Sequence, residues 1–164
     1  MATQLKNLSD HSSSEVPSAA PFRFGIIVAE WNPEITTALY NGAYATLIKF
    51  GAAAGNISTY YVSGSFELTS AAEILLRQNN VDAVICLGCV IQGETRHFDF
   101  ICNAVANGLC NVAIKYSKPV IFGVLTPDNQ QQAIDRAGGK HGNKGDEAAV
   151  AAIKMVHFSA TLNH

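Results

Sequence analysis

A chain of 164 residues, 48% hydrophobic and only 15% charged, is long enough for one folded domain with its own core. Its formal net charge of -2, with no long basic run, argues against strong binding to a nucleic-acid backbone. The longest apolar stretch, Val81 to Ile91, falls far short of the roughly 20 residues a membrane helix needs, and the N-terminus has no apolar secretion core, so the sequence reads as cytosolic. The low charge density also points to surface covered by other subunits.

Met1 to Pro21 is rich in Ser, Asn and Ala without a sustained apolar period, which predicts a disordered or partly ordered tail ahead of a domain spanning 22–164. Phe24 to Ala29 is a short apolar strand. Asn32 then offers an N-cap side chain, and Pro33 suits the first helical position. A helix from there to about Phe50 carries Ile35, Leu39, Ala43 and Leu47 at helical spacing and ends at Gly51. Ile57 to Val62 is the second strand. Glu67 to Asn79 is the second helix, with Leu68, Ala71, Ala72, Leu75 and Leu76 inward. Val81 to Val90, nearly all apolar, reads as a strand buried on both faces. The third helix runs from about Thr95 to Tyr116, and Pro119 to Leu125 is the fourth strand. Thr126-Pro127 repeats the cap-plus-proline start, for a helix reaching about Ala137. A last helix covers Asn143 to Phe158, split from its predecessor by Gly138 and Gly139.

Strands alternating with helices imply an α/β fold, a three-layer α/β/α sandwich of the flavodoxin-like kind with a central four-stranded parallel sheet. Ligands of such sheets bind outside the carboxyl ends of the strands. That rule selects Glu30 to Pro33, Gly64 to Glu67, Gly88 to Asp99, and Thr126 onward.

Four cysteines, Cys86, Cys89, Cys102 and Cys110, include one C-x-x-C pair, a spacing used by zinc and redox sites. Cys86 and Cys89 lie within a strand-like run, where positions three apart point to opposite faces. No second ligand pair follows at zinc spacing. Packing as small buried hydrophobes is the better reading, and no metal or redox cofactor is expected.

The run Gly88 to Phe100, GCVIQGETRHFDF, leaves a buried strand, turns at Gly93 and enters a helix. Unpaired backbone N–H groups and the helix dipole bind anions at such a start. Gly93 leaves room for a ligand and Thr95 adds a hydroxyl, while Glu94 fits only with its carboxylate in solvent. On spacing alone, a phosphate site at Gly93, Glu94 and Thr95 and a plain capped turn both stay open. His97, one turn into the helix, sits where the dipole disfavours a charged imidazole, which suits a proton-transfer role or a merely structural one. Asp99 reads as an early-helix carboxylate. Trp31, directly after the first strand, is placed to stack on a flat heterocycle or to join the core. Gly64-Ser65-Phe66-Glu67 occupies the same level after the second strand. Phe66 adds a ring face there, and Glu67 is either a hydrogen-bond acceptor or a first-turn helix acid. Arg136, Lys140 and Lys144 form a basic cluster without the spacing of a phosphate-binding P-loop. Arg136 suits bidentate phosphate contact, and the cluster reads equally well as a solvated helix junction.

Together these segments resemble the lumazine synthases, which act at the penultimate step of riboflavin biosynthesis. The resemblance spans about Phe22 to Phe158. It rests on GCVIQGETRHFDF (Gly88 to Phe100), PVIFGVLT (Pro119 to Thr126) and QAIDRAGGKHGNKGDEAA (Gln132 to Ala149), with Glu30-Trp31-Asn32 and Ser65-Phe66-Glu67 at the expected places. It implies a transferase that condenses 5-amino-6-(D-ribitylamino)uracil with 3,4-dihydroxy-2-butanone 4-phosphate, giving 6,7-dimethyl-8-ribityllumazine, phosphate and water. By the same resemblance, Trp31 would stack on the pyrimidine, and Ser65 to Glu67 with Cys89, Val90 and Ile91 would hold the ring and ribityl chain. Gly93, Glu94 and Thr95 would bind phosphate with Arg136, His97 would transfer protons, Phe122 would line the pocket, and Lys144 would add charge. Each site would lie between two subunits of a pentamer, free or built into a sixty-subunit icosahedral shell, and riboflavin synthase is a further expected partner. Gln92 stands where some relatives place arginine. The tail is longer than the fold requires, and the short turn near Gly138 to Gly142 resembles that of shell formers.

The resemblance also admits rivals on the same scaffold: a non-catalytic flavin or lumazine binder, or a protein kept mainly as a shell. His97 and Arg136 argue against the binder. A flavodoxin-like electron carrier is disfavoured because Glu30-Trp31-Asn32-Pro33 is not a Ser/Thr/Gly phosphate loop.

Overall fold

The computed structural model describes residues 7–11, 16–78 and 80–162. The parts of the expected tail at 1–6 and 12–15, the expected second-helix end at Asn79, and residues 163–164 lie outside the described residues.

Four parallel strands form the central sheet in the order β2-β1-β3-β4: β1 Phe24–Ala29, β2 Ile57–Val62, β3 Ala83–Cys89 and β4 Val120–Leu125. Every residue of β1 and β3 is buried, as their unbroken apolar sequences require of central strands. The edge strands are wetter: Tyr60 and Tyr61 of β2 are exposed, and Val120 to Phe122 of β4 are half-buried. Side chains alternate across the sheet. Ile26, Val28, Ile85, Leu87 and Cys89 pack with α1 (Pro33–Lys49) and α5 (Lys144–Leu162). Ile27, Val84, Cys86 and Val124 pack with α2 (Leu68–Arg77) and α3 (His97–Tyr116). Cys86 and Cys89 therefore face opposite layers, as strand geometry demands. This is the expected three-layer, flavodoxin-like sandwich. Helices α1 and α5 cross closely at Gly145, where a Cβ would overlap the Leu39 carbonyl.

Three expected boundaries move. Thr126-Pro127 does not start a helix. The chain stays extended there, with Val90 N–H donating to Leu125 O (2.9 Å) and Gln92 N–H to Pro127 O (3.0 Å). The helix, α4, is confined to Gln130–Asp135 and is capped by Asn129, whose side chain accepts from Gln132 N–H at 3.0 Å. The glycines expected to separate two helices instead build an antiparallel hairpin of β5 (Ala137–Gly139) and β6 (Gly142–Asn143). Helix α3 begins at His97, so Glu94 to Arg96 form a turn ahead of it.

The described tail residues are docked. Val16 and Ala19 are buried, Ala19 N–H donates to Phe50 O (2.8 Å), and the His157 ring bonds Ser18 O (2.7 Å). Farther out, Leu8 N–H donates to His141 O (2.8 Å) and Asn143 N–H to the Ser9 hydroxyl (2.9 Å), so residues 7–11 cross the β5–β6 hairpin. No helix among the described residues is long and apolar enough to cross a membrane.

Candidate active site

A cavity of about 540 Å³ opens beyond the carboxyl ends of β1, β2 and β3, lined by Trp31, Asn32, Gly64, Ser65, Phe66, Glu67, Cys89, Val90, Ile91, His97 and Ile101. It sits where the strand order reverses, with β2 on one side of β1 and β3 on the other. Its size suits a small molecule.

The aromatic wall follows from the β1–β2 ladder. Past β1, Glu30 N–H donates to Val62 O (2.8 Å) and Trp31 N–H to Ser63 O (3.2 Å), so the pairing runs on and lifts Trp31 beside Gly64. A Cβ on Gly64 would lie 3.2 Å from both Trp31 Cδ1 and Glu67 Oε2, so glycine lets the indole and the carboxylate close on one another. Trp31 remains 71% exposed and Phe66 56%. Two open ring faces at a cavity mouth are apolar area held in water, available to stack on a planar ligand.

The floor is polar and closed. Ser65 is only 5% exposed, and its Oγ is the one buried side-chain polar atom without a hydrogen-bond partner among the described residues. Burying a hydroxyl unpaired costs about 1–3 kcal/mol. Gly88 makes room for this hydroxyl, since a Cβ there would come within 2.5 Å of it. Burial, and secondarily the neighbouring Cys102, pushes the Cys89 thiol up to about 12. Cys89 is therefore a neutral thiol at physiological pH, packed as a small apolar group.

The far end is open. Gly93, Glu94 and Thr95 are exposed on the turn joining Ile91 to His97, and a Cβ on Gly93 would meet nothing within 4 Å. The backbone N–H groups of Gly93 to Arg96 make no hydrogen bond among the described residues. His97, expected one turn into α3, is its first residue; its N–H lies 3.4 Å from Thr95 Oγ1 and its ring faces the cavity mouth, exposed. The 20-residue helix behind it ends its dipole at this turn. Asp99 does not line the cavity; its carboxylate lies 3.6 Å from the Arg96 guanidinium on the surface.

Gly93, Glu94 and Thr95 lie on the adjoining turn and not in the cavity lining, and three further expected site residues do not reach this cavity. Phe122 lies on edge strand β4, half-buried against the α2–α3 layer. Arg136 closes α4, donating from Nη1 to Gln132 O of its own helix (3.1 Å). Lys144 opens α5, its Nζ 3.0 Å from Glu147 Oε2. Arg136 and Lys144 are neighbours across the hairpin through Lys144 N–H to Arg136 O (2.8 Å). Lys140 pairs with Asp135 at 3.0 Å. That carboxyl is held below the usual carboxylate range by the Gln131 amide first and by Lys140 second.

Three lining residues, Gly64, Ile101 and Asn32, had been given no site role. Ile101 stands one helical turn beyond His97, so helical spacing alone identifies it once His97 is taken as part of the site. Asn32 lay in a selected segment, with a helix cap as its one individual reading. Its side chain caps nothing and instead donates from Nδ2 to Cys89 O, 2.9 Å away.

Comparison with known proteins identifies the family. A family model described as 6,7-dimethyl-8-ribityllumazine synthase matches residues 21–160. A protein of that name from Cytophaga hutchinsonii is 60% identical over 156 residues, covering 95% of this chain and 98% of the relative. Its namesake from Flavobacterium johnsoniae is 53% identical over 166 residues, covering 100% and 87%. Another from Parabacteroides distasonis is 52% identical over 160 residues, covering 98% and 100%. The match takes in every strand of the sheet and every wall of the cavity, and the chain belongs to the 6,7-dimethyl-8-ribityllumazine synthase family.

Proposed function

We propose that the chain is a transferase that condenses 5-amino-6-(D-ribitylamino)uracil with 3,4-dihydroxy-2-butanone 4-phosphate to 6,7-dimethyl-8-ribityllumazine, phosphate and water. The observation that carries the reading is a cavity joining two open aromatic faces, Trp31 and Phe66, to an unpartnered buried hydroxyl, Ser65, and an exposed imidazole, His97. The pyrimidine stacks on Trp31. Ser65, Phe66 and Glu67 on one side and Cys89, Val90 and Ile91 on the other hold the ring and the ribityl hydroxyls. The phosphate docks on the unpaired N–H groups of Gly93, Glu94 and Thr95.

The amine attacks the ketone and water leaves, so an imine forms. Phosphate is then eliminated, and the carbonyl that remains closes the second ring with loss of a second water. Holding the two reactants together supplies much of the rate. His97 moves protons between nitrogen, carbon and the departing oxygens. Phosphate departure needs charge stabilisation, and Arg136 with Lys144 supplies it.

Phe122, Arg136 and Lys144 line no part of their own chain's cavity, which supports their delivery from an adjacent subunit of a homopentamer, free or assembled into a closed shell. The enzyme then works in the cytoplasm and hands its product to riboflavin synthase. Mixing the purified protein with both substrates should produce lumazine fluorescence and one phosphate per lumazine; absence of either product ends this reading. Co-assembly of His97→Ala with Arg136→Ala chains tests the shared site. A site built from two subunits recovers roughly a quarter of the parent rate in the mixture, whereas a site within one chain recovers none.

A further inference from the structure

The end of β1 contains a conformational oddity with a long reach. Asn32 adopts φ 58° and ψ 56°, and with Ser117 it is one of two non-glycine residues at positive φ among the described residues. It also precedes Pro33, whose ring crowds the residue before it. Asparagine tolerates the left-handed region better than most residues because its side chain usually bonds locally. Here it does not. Its backbone carbonyl starts α1, accepting from Ile35 N–H (2.9 Å) and Thr36 N–H (3.0 Å), while its amide leaves the helix and donates to Cys89 O at 2.9 Å.

The sheet explains this partner. The β1–β3 ladder runs out at Val28 and Leu87. Beyond that point β1 must part from β3 to open the crevice, and Cys89 loses the neighbour that a continuing strand would provide. The Asn32 amide supplies a strand-like hydrogen bond across the opening. Trp31 immediately precedes this bolt, and Val90 and Ile91 immediately follow it, all three lining the cavity.

We infer that Asn32 is a positioning residue for the ring-binding end of the site: its amide sets the distance between the Trp31 face and the Cys89-to-Ile91 wall. The inference rests on the proposed function for its ligand. It does not touch the reacting atoms.

The test uses the intact protein with two variants. Asn32→Gly keeps the left-handed backbone but removes the amide. Asn32→Asp keeps size and shape but turns an acceptor toward the Cys89 carbonyl. Trp31 is the single tryptophan of the chain, so its emission reports on the site directly. In ligand-free protein, Trp31 anisotropy should fall in both variants. Titration with 6,7-dimethyl-8-ribityllumazine, read by Trp31 quenching, should show a Kd raised about threefold to tenfold in Asn32→Gly and further in Asn32→Asp. The KM for the pyrimidine should rise with it, while the KM for the phosphorylated ketone and kcat stay near parent values. Parent-like anisotropy, Kd and pyrimidine KM in both variants would overturn the inference. So would loss of native circular dichroism in both, because Asn32 then holds the fold and not the site. A parent protein that does not bind the lumazine defeats the proposed function instead, and the anisotropy comparison still judges Asn32.

Discussion

The floor of the cavity and its turn end are built on different terms. At the floor, Ser65 and Cys89 are buried, Gly88 makes room for the hydroxyl, and Asn32 bolts one wall to the other. At the turn, Gly93 to His97 are all exposed, four backbone N–H groups lack partners among the described residues, and the cations assigned to the phosphate lie elsewhere in the chain. A planar ring can be recognised by walls that one chain packs for itself. A doubly charged phosphate needs more positive charge than one helix end supplies. The contrast teaches that this chain packs the floor for itself and leaves the turn open; on the proposed function, the turn's charge comes from elsewhere.

The strongest challenge to that division is at His97. His97→Ala should lower kcat roughly a hundredfold while the Kd for lumazine, read from Trp31 quenching, stays near that of the parent. A matching loss of lumazine affinity would show that the turn also belongs to ring recognition. Next in size, Arg136→Ala should raise the KM for the phosphorylated ketone roughly tenfold to a hundredfold with the pyrimidine KM unchanged, as steady-state kinetics with each substrate varied would reveal. Equal changes in both constants would merge the two ends.

A smaller effect sharpens the account of the floor. Ser65→Ala removes the unpartnered hydroxyl, so the ligand-free chain should gain about 1 kcal/mol in denaturant unfolding, while lumazine binds more weakly. Those opposite signs mark a group held buried for a ligand; a loss of stability would mean the hydroxyl already has a partner. The smallest effect concerns the hairpin that carries the charges. The Asp135 carboxyl titrates below its ordinary value because Gln131 and then Lys140 favour its ionised form. Its contribution is present above the ordinary carboxylate range and is lost as the pH falls through the lowered folded value. Hydrogen exchange at the His141 amide, which donates to Asp135 O, should quicken over that acid range. Asp135→Asn should remove the pH dependence.

Much of the fold was legible because it is periodic. The apolar runs of β1 and β3 announced central strands, and the strand-to-helix turns marked the cavity level. Trp31, Ser65 to Glu67 and His97 were singled out in this way and line the cavity; Cys89 to Ile91, which also line it, drew their role from the family resemblance. Reading failed where one local signal has two outcomes. Asn32-Pro33 and Thr126-Pro127 look alike as helix starts, yet only Pro33 opens a helix, because the Pro127 carbonyl is already engaged by Gln92. Gly138 and Gly139 read as a break between helices, but glycines also permit a hairpin.

The sequence by itself determined the layer architecture, the order of its elements and the residues available for chemistry, because burial imposes periods that a chain carries in its own letters. Tertiary structure alone decided that Asn32 bonds Cys89, that Ser65 is left without a partner, and that Arg136 and Lys144 stand away from the cavity they were expected to serve. Those facts join positions far apart in the chain. No local propensity encodes them, and only the packing of one element on another brings their atoms within reach or keeps them apart.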